Sequence, residues 1–313
     1  MLDGVCPGAP GYCRMVDRRT VDLMLLGTVL LWALNVTVTR YLLTHGFRPL
    51  AYASIRYFAA TSLFWAFTAH RERSFRFRVS DGKLVVLAAL LVFLNQLCFV
   101  SSIHLTTAST VGLVLGTTPV FVGLFALLAG LERPASTFWF AALLSFFGVG
   151  LIAGGGHGGV SSDVLGDVLA VGTAATWAGY SVAIAPLMRR YSPLRVSALV
   201  LALGWLPLTL VSLPQLAAQS FDDFRTLTWL AFVYAVVGPL FLTNILWFTA
   251  IDRVGPSRAS LFTNLQPFFA VLFALLLLSE HLNRWEVAGG FAIAVGIVLE
   301  RVWHRPAQPM PAE

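Results

Sequence analysis

The sequence predicts an all-α polytopic membrane protein, with ten transmembrane helices arranged as two inverted-topology five-helix repeats. Three observations predict it: an apolar excess that no soluble core could bury, ten apolar runs of membrane-spanning length, and a phrase that recurs at a constant offset in the second half of the chain.

Of the 313 residues, 58% are hydrophobic and 12% are charged, with a mean hydropathy of +0.79. So much apolar surface and so little charge make lipid the solvent. A bilayer core about 30 Å thick is crossed by roughly 20 apolar residues in a helix. Runs of that kind fall at 21–43, 49–69, 83–103, 106–130, 137–154, 164–188, 194–214, 227–251, 257–279 and 284–303. Each is continuous rather than alternating in polarity, which argues against a transmembrane barrel.

Taken in order, the runs are punctuated by charge. Arg14, Arg18 and Arg19 precede the first, and Asp22 sits at its start. The second and third are separated by RERSFRFRVSDGK, whose expected roles are topology and contact with anionic membrane lipid. The fourth carries Gly112 and Gly116 in a GxxxG, a spacing for close helix approach, and ends at Glu132 and Arg133. The fifth runs into a Gly-rich outer loop at 155–163, and the sixth has Asp167 at its start and Arg189, Arg190 and Arg195 beyond its end. Arg253 and Arg258 lie between the eighth and ninth, Glu280 ends the ninth, and Arg301 and Arg305 close the tenth.

With the N-terminus inside, 16 of the 21 basic residues fall in cytoplasmic segments. Basic residues near span ends are retained on that side, so both termini are expected in the cytoplasm. The division is then a cytoplasmic segment 1–20, repeats at 21–154 and 164–303 around the 155–163 loop, and a cytoplasmic tail 304–313. Net charge of +6 is read as a topology signal, and no nucleic-acid partner is expected, because the charges are scattered over short segments. Cys6, Cys13 and Cys98 give neither CxxC spacing nor a disulfide framework. Met15 offers an alternative start, and no cleavable signal is expected.

The recurring phrase is LFALLAGLER at 124–133 and LFALLLLSEH at 272–281. An offset of 148 also pairs Ser109 with Ser257, Pro119 with Pro267, Glu132 with Glu280 and Gly148 with Gly296. An offset of 145 pairs Gly27, Thr28 and Trp32 with Gly172, Thr173 and Trp177. Five spans per copy is an odd number, so the second copy must be upside down in the membrane. Inverted repeats of this kind suit a carrier, whose halves alternate around a central site.

LLWALNVTVTRYL, a proline with AYASIRYF, TTASTVGLVLGTTPVFVGLFALLAGLER, and GPSRASLFTNLQPFFAVLFALLLLSEHL with a late GIVL together resemble the two tandem EamA modules of the drug/metabolite transporter superfamily, over about 21–300. Ala33 departs from the pattern, which commonly has Gly after the Trp. The resemblance implies a ten-helix carrier of the plasma (bacterial inner) membrane, often an exporter of amino acids or other small metabolites.

Candidate site residues are those that lipid cannot satisfy. Arg56, about two turns inside the second span, either presents its guanidinium fork to a substrate carboxylate or is a structural arginine; Arg40 lies nearer the interface. Asn35, Asn95 and Gln96 are neutral hydrogen-bonding groups that must face protein or a wet cavity. Pro119 and Pro267 are expected to bend their helices as hinges, with Thr117, Thr118, Asn264 and Gln266 clustered at the bends. Trp32, Trp177, Tyr57 and Tyr180 either line an aromatic-tolerant pocket or belong to the core. One cation with aromatics suits an amino acid or a monoanionic metabolite; phosphorylated cargo would draw several Lys or Arg to the centre. No enzymatic activity is expected, since every His sits at a span end or loop and no nucleophile with a base lies at depth, and no cofactor or metal is expected. The remaining alternatives are a channel, a non-transporting sensor, or a carrier of sugars or nucleobases.

Overall fold

The computed structural model describes residues 18–130, 136–154, 162–188, 190–222, 224–254, 259, 262–263 and 265–303. Among them the structure is helical, without strands. The elements are α1 (Arg18–Thr44), α2 (Pro49–Arg71), α3 (Gly82–Leu105), α4 (Ala108–Val114), α5 (Thr118–Leu128), α6 (Ser136–Gly154), α7 (Ser162–Met188), α8 (Pro193–Ala217), α9 (Thr226–Val236), α10 (Thr243–Val254), α11 (Gln266–Leu278) and α12 (Arg284–Trp303). A 3₁₀ turn, Leu115–Thr117, joins α4 to α5, and a π-helical turn, Val237–Leu242, joins α9 to α10.

Six of the described segments are long and apolar enough to cross a bilayer: Arg19–Thr44, Val79–Leu105, Ala108–Leu128, Val164–Met188, Pro193–Ala217 and Thr226–Ile251. The other predicted runs fall on α2, α6, α11 and α12. Large apolar side chains such as Leu143 and Phe147 on α6, Leu210 on α8, Leu276 on α11 and Phe291 on α12 stand exposed. That is an outward face made for lipid, and the chain is a multi-pass membrane protein.

Local chemistry sets the helix ends. Ser192 caps α8 by accepting from the Arg195 N–H at 3.2 Å, with Pro193 in the first turn, where its missing N–H is not needed. Asn283 and Glu286 form a reciprocal capping box at the start of α12: Asn283 Oδ1 accepts from the Glu286 N–H, and Glu286 Oε2 accepts from the Asn283 N–H, both at 2.8 Å.

The prolines act differently from the expected mid-helix bend. Pro119 and Pro267 each lie in the first turn of a new helix, α5 and α11. At Pro119 the span is broken by the 3₁₀ turn, and the Leu115 carbonyl one turn back accepts the Thr118 hydroxyl at 2.6 Å. The freed acceptor is therefore satisfied locally.

The helices pack as two interlocked sets. α3 lies against α7 and α8, α2 against α8, α6 against α12, α4 against α11, α1 against α10 and α11, and α5 against α7. Exchanging the first five spans with the last five preserves most of this pattern: α2 with α8, α4 with α11 and α6 with α12 map onto themselves, α1 with α11 maps onto α5 with α7, and α3 with α7 onto α1 with α10, while α3 with α8 has only a weaker counterpart in α2 with α9. Glycine makes the closest approaches. A Cβ on Gly112 would lie 2.6 Å from Ala270 Cβ, and one on Gly116 2.8 Å from Pro267 Cγ, so the GxxxG seats the fourth span on α11.

Candidate functional site

Between α1, α2, α3, α7 and the broken stretches of the fourth, eighth and ninth spans lies a cavity of about 90 Å³. One water needs roughly 10–15 Å³ measured this way, so the space admits several waters or a small solute. Trp32, Asn35, Arg56, Tyr57, Asn95, Gln96, Thr118, Trp177, Tyr180 and Gln266, all singled out from the sequence, line it. Thr117 is fully buried, its hydroxyl donates to the Val114 carbonyl at 2.8 Å, and it is not part of the wall. Asn264 lies outside the described residues. Arg40 also stands apart, donating from Nη1 to the carbonyls of Ile103 at 2.6 Å and His104 at 3.2 Å.

The cavity sits on the exchange axis of the two halves. Offset by 145, Trp32 meets Trp177, Asn35 meets Tyr180 and Arg56 meets Leu201; offset by 148, Val92 meets Leu240, Gln96 meets Asn244, Leu115 meets Thr263 and Thr118 meets Gln266, and all fourteen line the wall. Asn244, Thr263 and the Pro239 stretch are site residues that the sequence reading missed. The signal was present for the first two: the repeat offset, applied to Gln96 and Leu115, reaches both. Pro239 follows Gly238 inside a span but has no proline counterpart in the first half.

Arg56 is 1% exposed, the largest fully buried side chain among the described residues. Its Nη1 donates to Tyr52 Oη at 3.1 Å and to Asn35 Oδ1 at 3.3 Å, and its Nη2 donates to Gln96 Oε1 at 2.5 Å. The guanidinium also lies 4.9 Å from the Tyr52 ring and within 6 Å of the Tyr57 and Phe99 rings, so cation–π attraction adds to neutral acceptors in holding it. Nε has no partner. Of five donors three are engaged, leaving the Nε–H and one Nη2–H. Among the described residues no carboxylate lines the cavity or pairs with Arg56.

The acceptors are themselves anchored. Gln96 Nε2 donates to Asn95 Oδ1 at 3.1 Å, and Asn95 Nδ2 donates to the Thr173 carbonyl at 3.0 Å, which ties α3 to α7. On the other side, Trp32 Nε1 donates to Thr243 Oγ1 at 3.0 Å beside the π turn. Trp32 stands edge-on to Trp177 at 5.1 Å and tilted to Trp247 at 5.0 Å, and Trp177 contacts Tyr180 at 5.4 Å. One wall is thus cationic and amide-lined, and the other is aromatic.

Gln96→Leu keeps the volume but leaves the Nη2 of Arg56 without its acceptor. Unfolding in detergent is expected at a lower temperature, with a loss of about 2 kcal/mol, the cost of stranding a buried charged donor. An unchanged melting curve would mean that Gln96 does not hold the guanidinium.

The EamA-like transporter family matches residues 19–154 and again residues 164–300. An uncharacterized transporter of Archaeoglobus fulgidus is 27% identical over 199 residues, 62% of this chain and 67% of its own length. YvbV, an uncharacterized transporter of Bacillus subtilis, is 24% identical over 291 residues, 91% of this chain and 93% of its own. A crystal structure of a protein 19% identical in sequence superposes with a TM-score of 0.65 over 91% of this chain and 98% of that one, a likeness of fold.

Proposed function

Because the chain belongs to the EamA-like transporter family, we propose that this membrane transporter moves amino acids, aromatic or otherwise apolar, outward by alternating access. The observation that carries the reading is Arg56: a buried guanidinium with two unspent donors and no carboxylate of its own among the described residues. Two donors on neighbouring nitrogens match the two oxygens of a carboxylate. The facing Trp32, Trp177 and Tyr180 suit an apolar or aromatic side chain, and indole faces also attract an ammonium group. A single cation suits a monoanion or zwitterion better than a phosphorylated metabolite.

In the proposed cycle the halves 21–154 and 164–303 rock about the cavity, in the plasma (bacterial inner) membrane, with both termini cytoplasmic. Breaks at the 3₁₀ turn, the π turn and Pro267 give the moving spans places to flex.

Counterflow in proteoliposomes tests the reading. Vesicles preloaded with unlabelled amino acid are expected to accumulate its labelled form, and competitors then report which end is held. The 2-oxo acid, lacking the ammonium, is expected to compete within a few-fold of the amino acid, whereas the carboxamide is expected to be weaker by about tenfold or more, the worth of one good charge-assisted contact. Competition by the carboxamide equal to that of the parent would remove Arg56 as the carboxylate anchor. No accumulation of any amino acid would remove the cargo class.

A further inference from the structure

Beyond the central cavity, the end of the bundle that holds the α4 start and the α11 end carries a second arrangement. Ser279, in the left-handed region at φ 54°, turns the chain off α11 and directs Glu280 back toward the first half. Glu280 Oε1 accepts from the Ala108 N–H at 3.1 Å, and Oε2 accepts from the Ser109 N–H at 2.9 Å and the Ser109 hydroxyl at 2.6 Å. Glu286, 6% exposed, reaches across the same seam: its Oε1 accepts the Thr110 hydroxyl at 2.7 Å. Four donors thus belong to the first half and both acceptors to the second. Beside them opens a cavity of about 580 Å³, lined by Thr106, Thr110, His281 and Glu286 among others.

We infer that Glu280 is the positioning residue of the transport cycle that latches the outer end shut, an assignment that rests on the alternating-access reading above. In the proposed topology this is the external end. Rocking of the halves that parts α4 from α11 there breaks the Glu280 bonds and that of Glu286, which are the polar ties at this seam; a separate set joins the outer loops, where Arg48 bonds Gln219 and Ala218 and Leu50 bonds Gln215. The seam ties also become the easiest to replace, because carboxylate and N–H groups at a span end meet water as soon as they part. The latch is therefore strong enough to bias the closed state and weak enough to release. The repeat supports a role in the cycle: the same two residue types recur at the offset of 148 as Ser257 and Glu132, which lie outside the described residues.

The test uses the full chain in proteoliposomes, with Cys6, Cys13 and Cys98 replaced by serine and Thr106→Cys as a reporter in the outer cavity, labelled by a membrane-impermeant maleimide. Labelling of the parent is expected to change when cargo is added. Glu280→Ala is expected to raise the labelling rate by about tenfold without cargo, the effect of losing one strong charge-assisted tie, with Glu280→Gln between the two. Ser109→Ala removes only a hydroxyl, and a rise there supports the latch even where Glu280→Ala fails to fold. Parental labelling rates in both folded variants, with cargo still altering the parent, would overturn the latch and leave alternating access standing. A parental rate indifferent to every transported cargo would instead overturn alternating access, and the latch with it.

Discussion

Arg56→Ala is expected to abolish amino-acid counterflow while leaving the protein folded in the membrane. The two halves of that expectation have separate causes. Loss of transport follows from the two donors that no protein group engages: at roughly 1.5–3 kcal/mol for each hydrogen bond to a charged group, removing both lowers cargo affinity on the order of 100-fold or more. Persistence of the fold follows from the cost of the charge itself. An arginine deep in a span costs roughly 2.5–3.5 kcal/mol on insertion scales, and alanine relieves that cost. What alanine leaves behind is Tyr52, Asn35 and Gln96, all neutral, with Asn95 still in reach of Gln96. Arg56→Lys keeps the charge but not the fork, so intermediate counterflow is expected. Full activity in Arg56→Ala would make the arginine a structural residue and the carboxylate anchor would have to be sought elsewhere.

Gly289→Leu is expected to have the largest effect on folding. α6 and α12 meet backbone to backbone: a Cβ on Gly289 would stand 2.4 Å from the Gly148 carbonyl oxygen and 2.6 Å from Ile152 Cγ1, while one on Gly148 would stand 2.6 Å from the Gly289 carbonyl oxygen. The first obstacle is a peptide carbonyl on a helix, which cannot rotate away as a side-chain end can. Overpacking of a tight interior costs about 1–3 kcal/mol where side chains adjust, and here a whole helix must move. Size-exclusion chromatography of detergent-solubilised protein is expected to show little monodisperse Gly289→Leu. Gly27→Leu, at a glycine whose added Cβ would meet nothing within 4 Å, serves as the matched control. Equal yields of the two would mean that α6 and α12 separate without cost.

The spans were legible because lipid imposes one rule on all of them: a continuous apolar run of fixed length. The repeat was legible because prolines, glutamates and glycines are scarce enough for a constant offset to stand out. Arg56, Asn95 and Gln96 could be picked for the same reason, as polar groups that lipid cannot satisfy. Thr117 shows the limit. Next to Thr118 it looks equivalent, and both hydroxyls donate back to their own span, but a 3₁₀ turn gives neighbouring side chains different directions and only Thr118 reaches the wall. The π turn at Val237–Leu242 was illegible as such, because one extra residue in a turn changes no composition and no periodicity long enough to read. The position of the two prolines, inside a run yet at the start of a helix, depends on where the preceding turn breaks, and that is decided by packing across the halves.

The exchange symmetry of the packing bears on energetics. If swapping the roles of the two halves yields the opposite-facing arrangement, that arrangement is built from nearly the same contacts, so the two end states differ in free energy only by what the halves do not share. Leu201 standing where the first half has Arg56 is such a difference, and it lies at the centre, where it acts on cargo in both states alike. Under the proposed alternating-access cycle, a protein poised between states of similar energy is expected to act as a reversible exchanger, with the ratio of cargo on the two sides of the membrane setting the direction of net flow.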